Sequence, residues 1–195
     1  MKRSKTLIVV IVVLGVLAFL IGGQYNRMVV LDEEVKASWG QVENVYQRRA
    51  DLIPNLVNTV KGYANHEKST LESVIQARAS ATQVKVDPNN LTAKDMEEFM
   101  AKQGELSSAL SRLLVSVEAY PDLKANENFQ MLQVQLEGTE NRITVERARF
   151  NEVVKSYNQY IRKFPKNLVA KMFGFDVKPL FESREGADVA PEVQF

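Results

Sequence analysis

The chain has 195 residues, with Lys plus Arg at 25, Asp plus Glu at 24 and a net charge of +1. That balance gives no overall field to gather nucleic acid or an acidic substrate, and the absence of cysteine excludes disulfides and thiolate metal sites. One tryptophan, few glycines and abundant Ala, Leu, Val, Glu, Gln and Lys favour helix over sheet.

Residues 1–6 are a short tail carrying Lys2, Arg3 and Lys5. An uncharged apolar run follows: Leu7, Ile8, Val9, Val10, Ile11, Val12, Val13, Leu14, Gly15, Val16, Leu17, Ala18, Phe19, Leu20 and Ile21. With Thr6, Gly22 and Gly23 it is about the shortest stretch that crosses a hydrocarbon core of about 30 Å at a rise of about 1.5 Å per residue. A membrane anchor over 7–23 is expected. A cleaved secretory signal begins in the same way, but Phe19-Leu20-Ile21-Gly22-Gly23 lacks a small-x-small cleavage pattern. After the anchor, Asp32, Glu33 and Glu34 face only Arg27 and Lys36. The positive-inside rule then keeps the tail in the cytoplasm and exports the rest, giving a single-pass protein of the inner or plasma membrane. The lack of cysteine suits an exported domain and a cytosolic one equally.

From Met28 the apolar positions step by three and four through Leu31, Val35, Val42, Val45 and Leu52, with Ser38 and Arg49 in the same register. This first helix is expected to stop near Asp51, which would cap a second helix with Pro54 in its first turn; a continuous helix through Pro54 is the alternative. The second runs to about Val84 with Leu56, Val60, Tyr63, Val74, Ala77 and Ala81 inward, and Asp87-Pro88-Asn89-Asn90 is a turn. A third begins near Thr92, with Asp95 three residues on, and carries Met96, Phe99, Leu106, Leu110, Leu113, Val117 and Tyr120 before Pro121 ends it. The fourth is expected from about Asp122 to Lys163, with Phe129, Leu132, Leu136, Ile143, Phe150, Val153, Tyr157, Ile161 and Phe164 as its stripe and Gly138 as a weak point.

This spacing, sustained over four segments with short connections, predicts an all-α fold: an N-terminal transmembrane helix followed by an up-and-down four-helix bundle over 24–181. An even helix count returns Arg162, Lys163, Lys166 and Lys171 to the bilayer side. The short amphipathic stretch 167–175 then either meets lipid headgroups or packs across the end of the bundle. Residues 182–195, acidic and without apolar periodicity, are expected to be a disordered tail.

The region from Tyr25 onward resembles the LemA family. The matching elements are Tyr25-Asn26, Trp39 with Gln41-Val42, Arg49-Ala50-Asp51-Leu52-Ile53-Pro54-Asn55-Leu56-Val57, Val60-Lys61-Gly62-Tyr63-Ala64 with His66-Glu67, and Ala77-Arg78-Ala79. Further along come Asn128-Phe129, Leu132, Leu136, Glu140-Asn141-Arg142-Ile143, Arg147, Phe150-Asn151, Val154, Tyr157-Asn158, Phe164-Pro165 and Phe173-Gly174-Phe175. The resemblance implies a single-pass membrane protein with a helical domain and no established enzymatic activity.

Chemistry finds little footing in the residues themselves. His66-Glu67 is the one imidazole beside a carboxylate, but Thr70 stands where a zinc-binding helix needs a second His. Arg48, Arg49, Asp51 and Asn55 cluster at the expected junction of the first two helices, where capping explains them and a partner-docking tip is the rival. Asn141, Asn151 and Asn158, with Arg142 and Arg147, either fix the register of the fourth helix or satisfy polar groups across a subunit interface. No glycine-rich phosphate cradle or nucleophile elbow is present. No catalytic, cofactor-binding or metal-binding residue is expected.

A second apolar line accompanies the main seams: Val29, Val30, Trp39 and Tyr46 on the first helix, and Met131, Val134, Val145 and Val154 on the fourth. Such width favours burial against a second copy, with Val30, Trp39, Tyr46, Val134 and Val145 as the expected contacts. A self-assembling, membrane-anchored scaffold is the function expected, with the lipid bilayer, further copies and an envelope protein as partners. A sensory or regulatory subunit of an envelope complex is the alternative, and an envelope enzyme stands behind both.

Overall fold

The computed structural model describes residues 2–63 and 67–182. Every regular element among them is helical: α1 (Lys2–Tyr63), α2 (Lys68–Gln83), α3 (Ala93–Val117), the single turn α4 (Pro121–Lys124), α5 (Glu127–Arg162) and α6 (Lys166–Phe173). One of them, α1, is long and apolar enough in its first part to cross a membrane. The large apolar side chains described there from Leu7 to Leu20 are exposed, Phe19 at 82%, and no described residue of the domain buries them, while Ile21 packs partly against the core.

The expected break at Asp51 does not occur, and α1 runs on through Pro54 to Tyr63. A mid-helix proline deprives the carbonyl four residues back of its N–H. Here that carbonyl belongs to Ala50, and Arg78 of α2 donates its Nε hydrogen to it at 2.7 Å. Asp51 is therefore no cap; it is exposed and accepts from Gln47 Nε2 at 2.7 Å. The chain reverses instead between Tyr63 and Lys68, and Leu56 and Val60 keep their inward register on α1 rather than on a second helix. The fourth expected helix is also divided. A turn at Pro121 precedes Asn126, whose side chain accepts from the Phe129 amide at 3.0 Å and caps α5. Thr92 and Asp95 form the reciprocal capping box of α3.

Contacts at both ends fix the directions. Asn126 donates to Tyr63 at 2.9 Å at one end of the α1–α5 pair, and Tyr160 donates to Gln24 at 2.7 Å at the other, so the two helices are antiparallel. The core has two parts. The first, between Met28 and Tyr46 of α1 and from Ile143 to Ile161 of α5, takes in Met96 and Phe99 of α3, Val169 and Ala170 of α6, and Phe181. The second, from Ile53 to Val60 of α1, takes in Leu71 and Val74 of α2, Leu106 to Val117 of α3 and Phe129 to Leu136 of α5.

With only 16 residues, α2 covers the second part and leaves the first open. Irregular chain, 175–182, fills the gap. Two asparagines of α5 hold it by both edges of its backbone. Asn158 donates to the Lys178 carbonyl at 2.8 Å and accepts from its amide at 2.9 Å. Asn151 does the same for Phe181, at 2.9 and 2.8 Å. Seven helical residues rise about 10.5 Å, and three residues span about 10 Å only when nearly fully extended. The asparagine spacing thus acts as a strand edge built on a helix.

Candidate functional site

Of the residues singled out in the sequence, Tyr46, Arg49 and Arg147 come together. Between α3 and α5 lies an open cleft of about 790 Å³, lined by Tyr46 and Arg49 of α1, Met100, Gln103 and Ser107 of α3, Glu140, Ile143 and Arg147 of α5, and Glu182. A second hollow of about 530 Å³ continues it toward Leu114 and Gln133, sharing Ser107 and Glu140. The cleft is open because α3 packs along α2, and α5 along α1.

Arg49 forms the floor, only 1% exposed. A buried guanidinium costs several kcal/mol unless its charge and donors are matched. Nη1 donates to Glu140 at 2.6 Å and to Ser107 Oγ at 3.0 Å, and Nη2 donates to the Gln103 side-chain oxygen and to the Gln103 carbonyl at 3.4 Å. Its cation also lies 5.1 Å from the centre of the Tyr46 ring. Only Nε lacks a partner. Gln103 in turn donates to the Ala81 carbonyl at 3.3 Å, so one side chain of α1 ties together α2, α3 and α5.

The Ser107 hydroxyl donates to the Gln103 carbonyl at 3.1 Å and accepts from Arg49 Nη1 at 3.0 Å, so it serves the guanidinium's hydrogen-bond network. Burial raises the Tyr46 phenol above its ordinary value, against the pull of Arg147 and Arg49, so it stays protonated. Among the described residues no three His, Cys, Asp or Glu side chains gather as a metal-ligand set. His66 lies outside the described residues. Its neighbour Glu67 accepts from Tyr120 at 3.2 Å and from Thr70 at 3.3 Å, tying the start of α2 to the end of α3.

The second polar assembly belongs to the segment 175–182. Lys178, 8% exposed, meets Asp32 at 2.9 Å, and Asp32 also meets Lys36 at 2.9 Å. Burial pushes the Asp32 carboxyl up, but the hydrogen bonds and charges of Lys36 and Lys178 hold it below the usual carboxylate value. Tyr157 donates to the Asp176 carbonyl at 3.0 Å. Burial, with the negative charges of Asp32 and Asp176, raises its phenol and keeps that donor in place. Arg147 donates to the Glu182 carbonyl at 3.1 Å and covers the Phe181 ring, whose face stacks on Trp39 at 5.9 Å.

Several expectations change here. Asn151 and Asn158 bind the chain's own backbone rather than another subunit, while Asn141 and Arg142 are exposed. Trp39 and Tyr46 do not face outward for a second copy. They lie in the core, with the tryptophan 5.3 Å from Phe99 and 5.5 Å from Phe150. Val30, Val134 and Val145 are exposed at 45%, 67% and 61%. The roles of Arg78 and Lys178 escape the sequence, because each acts on a group far away along the chain. A proline inside an unbroken apolar register was the one available signal for the first.

A model of the LemA family matches residues 38–195. The chain belongs to the LemA family. The Arg49 floor, the Pro54 bypass and the asparagine clamp all lie within the matched region. This LemA-family chain is similar to the magnetosome protein MamQ 2 of Paramagnetospirillum magneticum, 26% identical over 202 residues that cover 93% of the chain and 74% of that protein. It is similar to the magnetosome protein MamQ of Magnetospirillum gryphiswaldense at 25% over 209 residues, covering 96% and 77%. It is also similar to the protein LemA of Metamycoplasma hominis, 22% identical over 175 residues, covering 90% and 76%.

Proposed function

We propose that this protein is a single-pass, membrane-anchored scaffold whose helical domain, an up-and-down four-helix bundle of α1, α2, α3 and α5, assembles with further copies of itself and with an envelope partner, without catalysis. The observation that carries the reading is the continuity of α1: an apolar helix that no described residue of the domain buries passes without a break into the helix on which the core is built. A flexible tether would let the domain tumble. A continuous helix instead holds every copy at one height and tilt above the bilayer, which favours lateral contact once tethering has raised the local concentration. The exposed Val30 of α1 and Met131, Val134 and Val145 of α5 are among the apolar surface available for that contact. The basic tail places the N-terminus in the cytoplasm and the domain outside.

The test is extraction and sizing of the full-length protein. It is expected to resist carbonate, to be digested by protease added outside the membrane, and to leave gentle detergent as a particle several times the mass of the 22.0 kDa chain. Release by carbonate or an N-terminus beginning near Gln24 overturns the anchor. Protection from external protease overturns the orientation, and a monomer overturns the assembly.

A further inference from the structure

The base of the domain carries a surface that neither core uses. Leu168 and Met172 stand one turn apart on α6 and are each 60% exposed, and Phe164, two residues before α6 begins, is 81% exposed. The opposite side of α6 is buried through Val169 and Ala170, and Gly174, in the left-handed conformation at φ 75°, ends the helix. So α6 does pack across the end of the domain, and still shows a second apolar face to the outside. Lys171, beside that face, is exposed, and Lys166, half-buried at the start of α6, is held 3.8 Å over the Tyr160 ring.

Its position selects the occupant. Tyr25, just past the apolar run of α1, contacts Phe173 at 4.9 Å, and Gln24 is bonded to Tyr160. The exposed stripe is therefore at the level where α1 leaves its apolar run. The anchor over residues 7–23 is about 25 Å long, a few Å less than a hydrocarbon core of about 30 Å. A span shorter than the core is met by local thinning of the bilayer and by flanking side chains that reach to the interface, and a helix beside it with apolar bulk on one side and lysine next to that side suits an interface rich in anionic headgroups.

We propose that α6 is a second membrane contact, lying in the bilayer interface with Phe164, Leu168 and Met172 among the upper acyl chains and Lys163, Lys166 and Lys171 at anionic headgroups. The proposal rests on the anchor reading and adds to it. With α1 as a post and α6 as a foot, the domain has two fixed points on the bilayer. Its rotation about the α1 axis is then restricted, so the same side of every copy faces its neighbours.

The chain has no cysteine, so single sites can be labelled cleanly. The full-length protein carrying Leu168→Cys or Met172→Cys is labelled with the fluorophore NBD and placed in vesicles of phosphatidylcholine and phosphatidylglycerol. Val13→Cys reports the anchor, and Ser108→Cys, exposed on α3, reports water. Lipids with a nitroxide near the headgroup are expected to quench positions 168 and 172 strongly and 108 hardly at all, with aqueous iodide showing the reverse order. Raising the phosphatidylglycerol fraction is expected to increase the lipid quenching, and Lys166→Glu with Lys171→Glu to reverse that gain. If 168 and 172 follow 108 while 13 is quenched by a nitroxide placed deep in the acyl chains, the α6 proposal falls and the anchor stands. If 13 is not quenched by lipid, the anchor reading itself falls. Shielding of 168 and 172 from both quenchers means that protein covers the stripe, and overturns the proposal.

Discussion

Arg78 replaces the hydrogen bond that Pro54 removes: its Nε donates to the Ala50 carbonyl at 2.7 Å, from a different helix and 28 residues away along the chain. Ala50 is 3% exposed, so without that donor its carbonyl would be buried and unpaired. The proline is tolerated inside α1 because α2 completes the ladder.

A double-mutant cycle tests this directly. Arg78→Ala is expected to cost about 1–3 kcal/mol in urea unfolding, the penalty of an unsatisfied buried carbonyl. In a Pro54→Ala background the restored amide at position 54 can bond to Ala50 itself, so the same Arg78→Ala change is expected to cost much less. A coupling below about 0.5 kcal/mol, the level of independent sites, would show that the two residues act separately.

Arg49 gives the second prediction. Removal of one member of a buried charge pair strands the other and commonly costs about 3–5 kcal/mol, so Arg49→Met is expected to fall in that range. Since Glu140 is 48% exposed, water can reach it once alone, and Glu140→Gln is expected to cost less than the change at Arg49. Arg49→Lys keeps the charge but cannot reach Glu140, Ser107 and Gln103 together, and is expected to recover only part of the loss. Thermal unfolding of the three variants checks the order.

The third prediction concerns acid. Asp32 is held below the usual carboxylate value, so its contribution to stability is complete above the unfolded value of about 3.9 and is lost as pH falls through the lower folded value. The segment 175–182 is therefore expected to loosen below about pH 4, with faster amide exchange at Lys178 and Phe181 and altered Trp39 emission as Phe181 leaves its face. Asp32→Asn is expected to lose most of this acid response. Asn151→Ala and Asn158→Ala are expected to speed exchange at the same amides already at neutral pH, each at a cost of about 1–2 kcal/mol. Unchanged exchange in both asparagine variants would mean that packing of Phe181 alone holds the segment.

Local rules made much of this fold legible. The three-and-four spacing marks buried faces whether or not a helix is interrupted, so most of the expected stripes lie inward, with Val45, Leu52 and Val153 half-buried at their edges, whereas Tyr63 and Phe164, at helix ends, are exposed. The break at Asp51 was misplaced because a proline argues for a helix start by local geometry, and Arg78 overrides that argument from another element. The clamp on 175–182 was hidden for a similar reason. Asn151 and Asn158 stand in the apolar register of α5 and read as polar interruptions until an extended strand is laid beside them. Arg49 was correctly placed in register, yet its charge pointed toward a helix end when its partners are Gln103, Ser107 and Glu140.

The last prediction bears on assembly. Trp39 and Tyr46 are consumed by the core of one copy, so of the contacts expected from the sequence Val30, Val134 and Val145 stay exposed and are the ones to test for self-assembly. These lie on two helices that pack against each other in antiparallel fashion, with Val30 near the membrane end of α1 and Val134 near the far end of α5. The continuous α1 makes their heights above the bilayer comparable from copy to copy, so like positions meet like. Cysteines placed one at a time at 30, 134 and 145 are expected to form disulfide dimers in membranes under mild oxidation. A cysteine at Ser108, exposed on α3 and away from the α1–α5 pair, is expected to form far fewer. Val30→Glu and Val145→Glu are expected to reduce crosslinking at position 134 without lowering stability by more than about 0.5 kcal/mol, because an exposed site has little packing to lose. Crosslinking no greater at the valines than at 108, together with a monomeric mass after extraction, would remove self-assembly from the proposed function and leave α1 as an anchor for a partner of another kind.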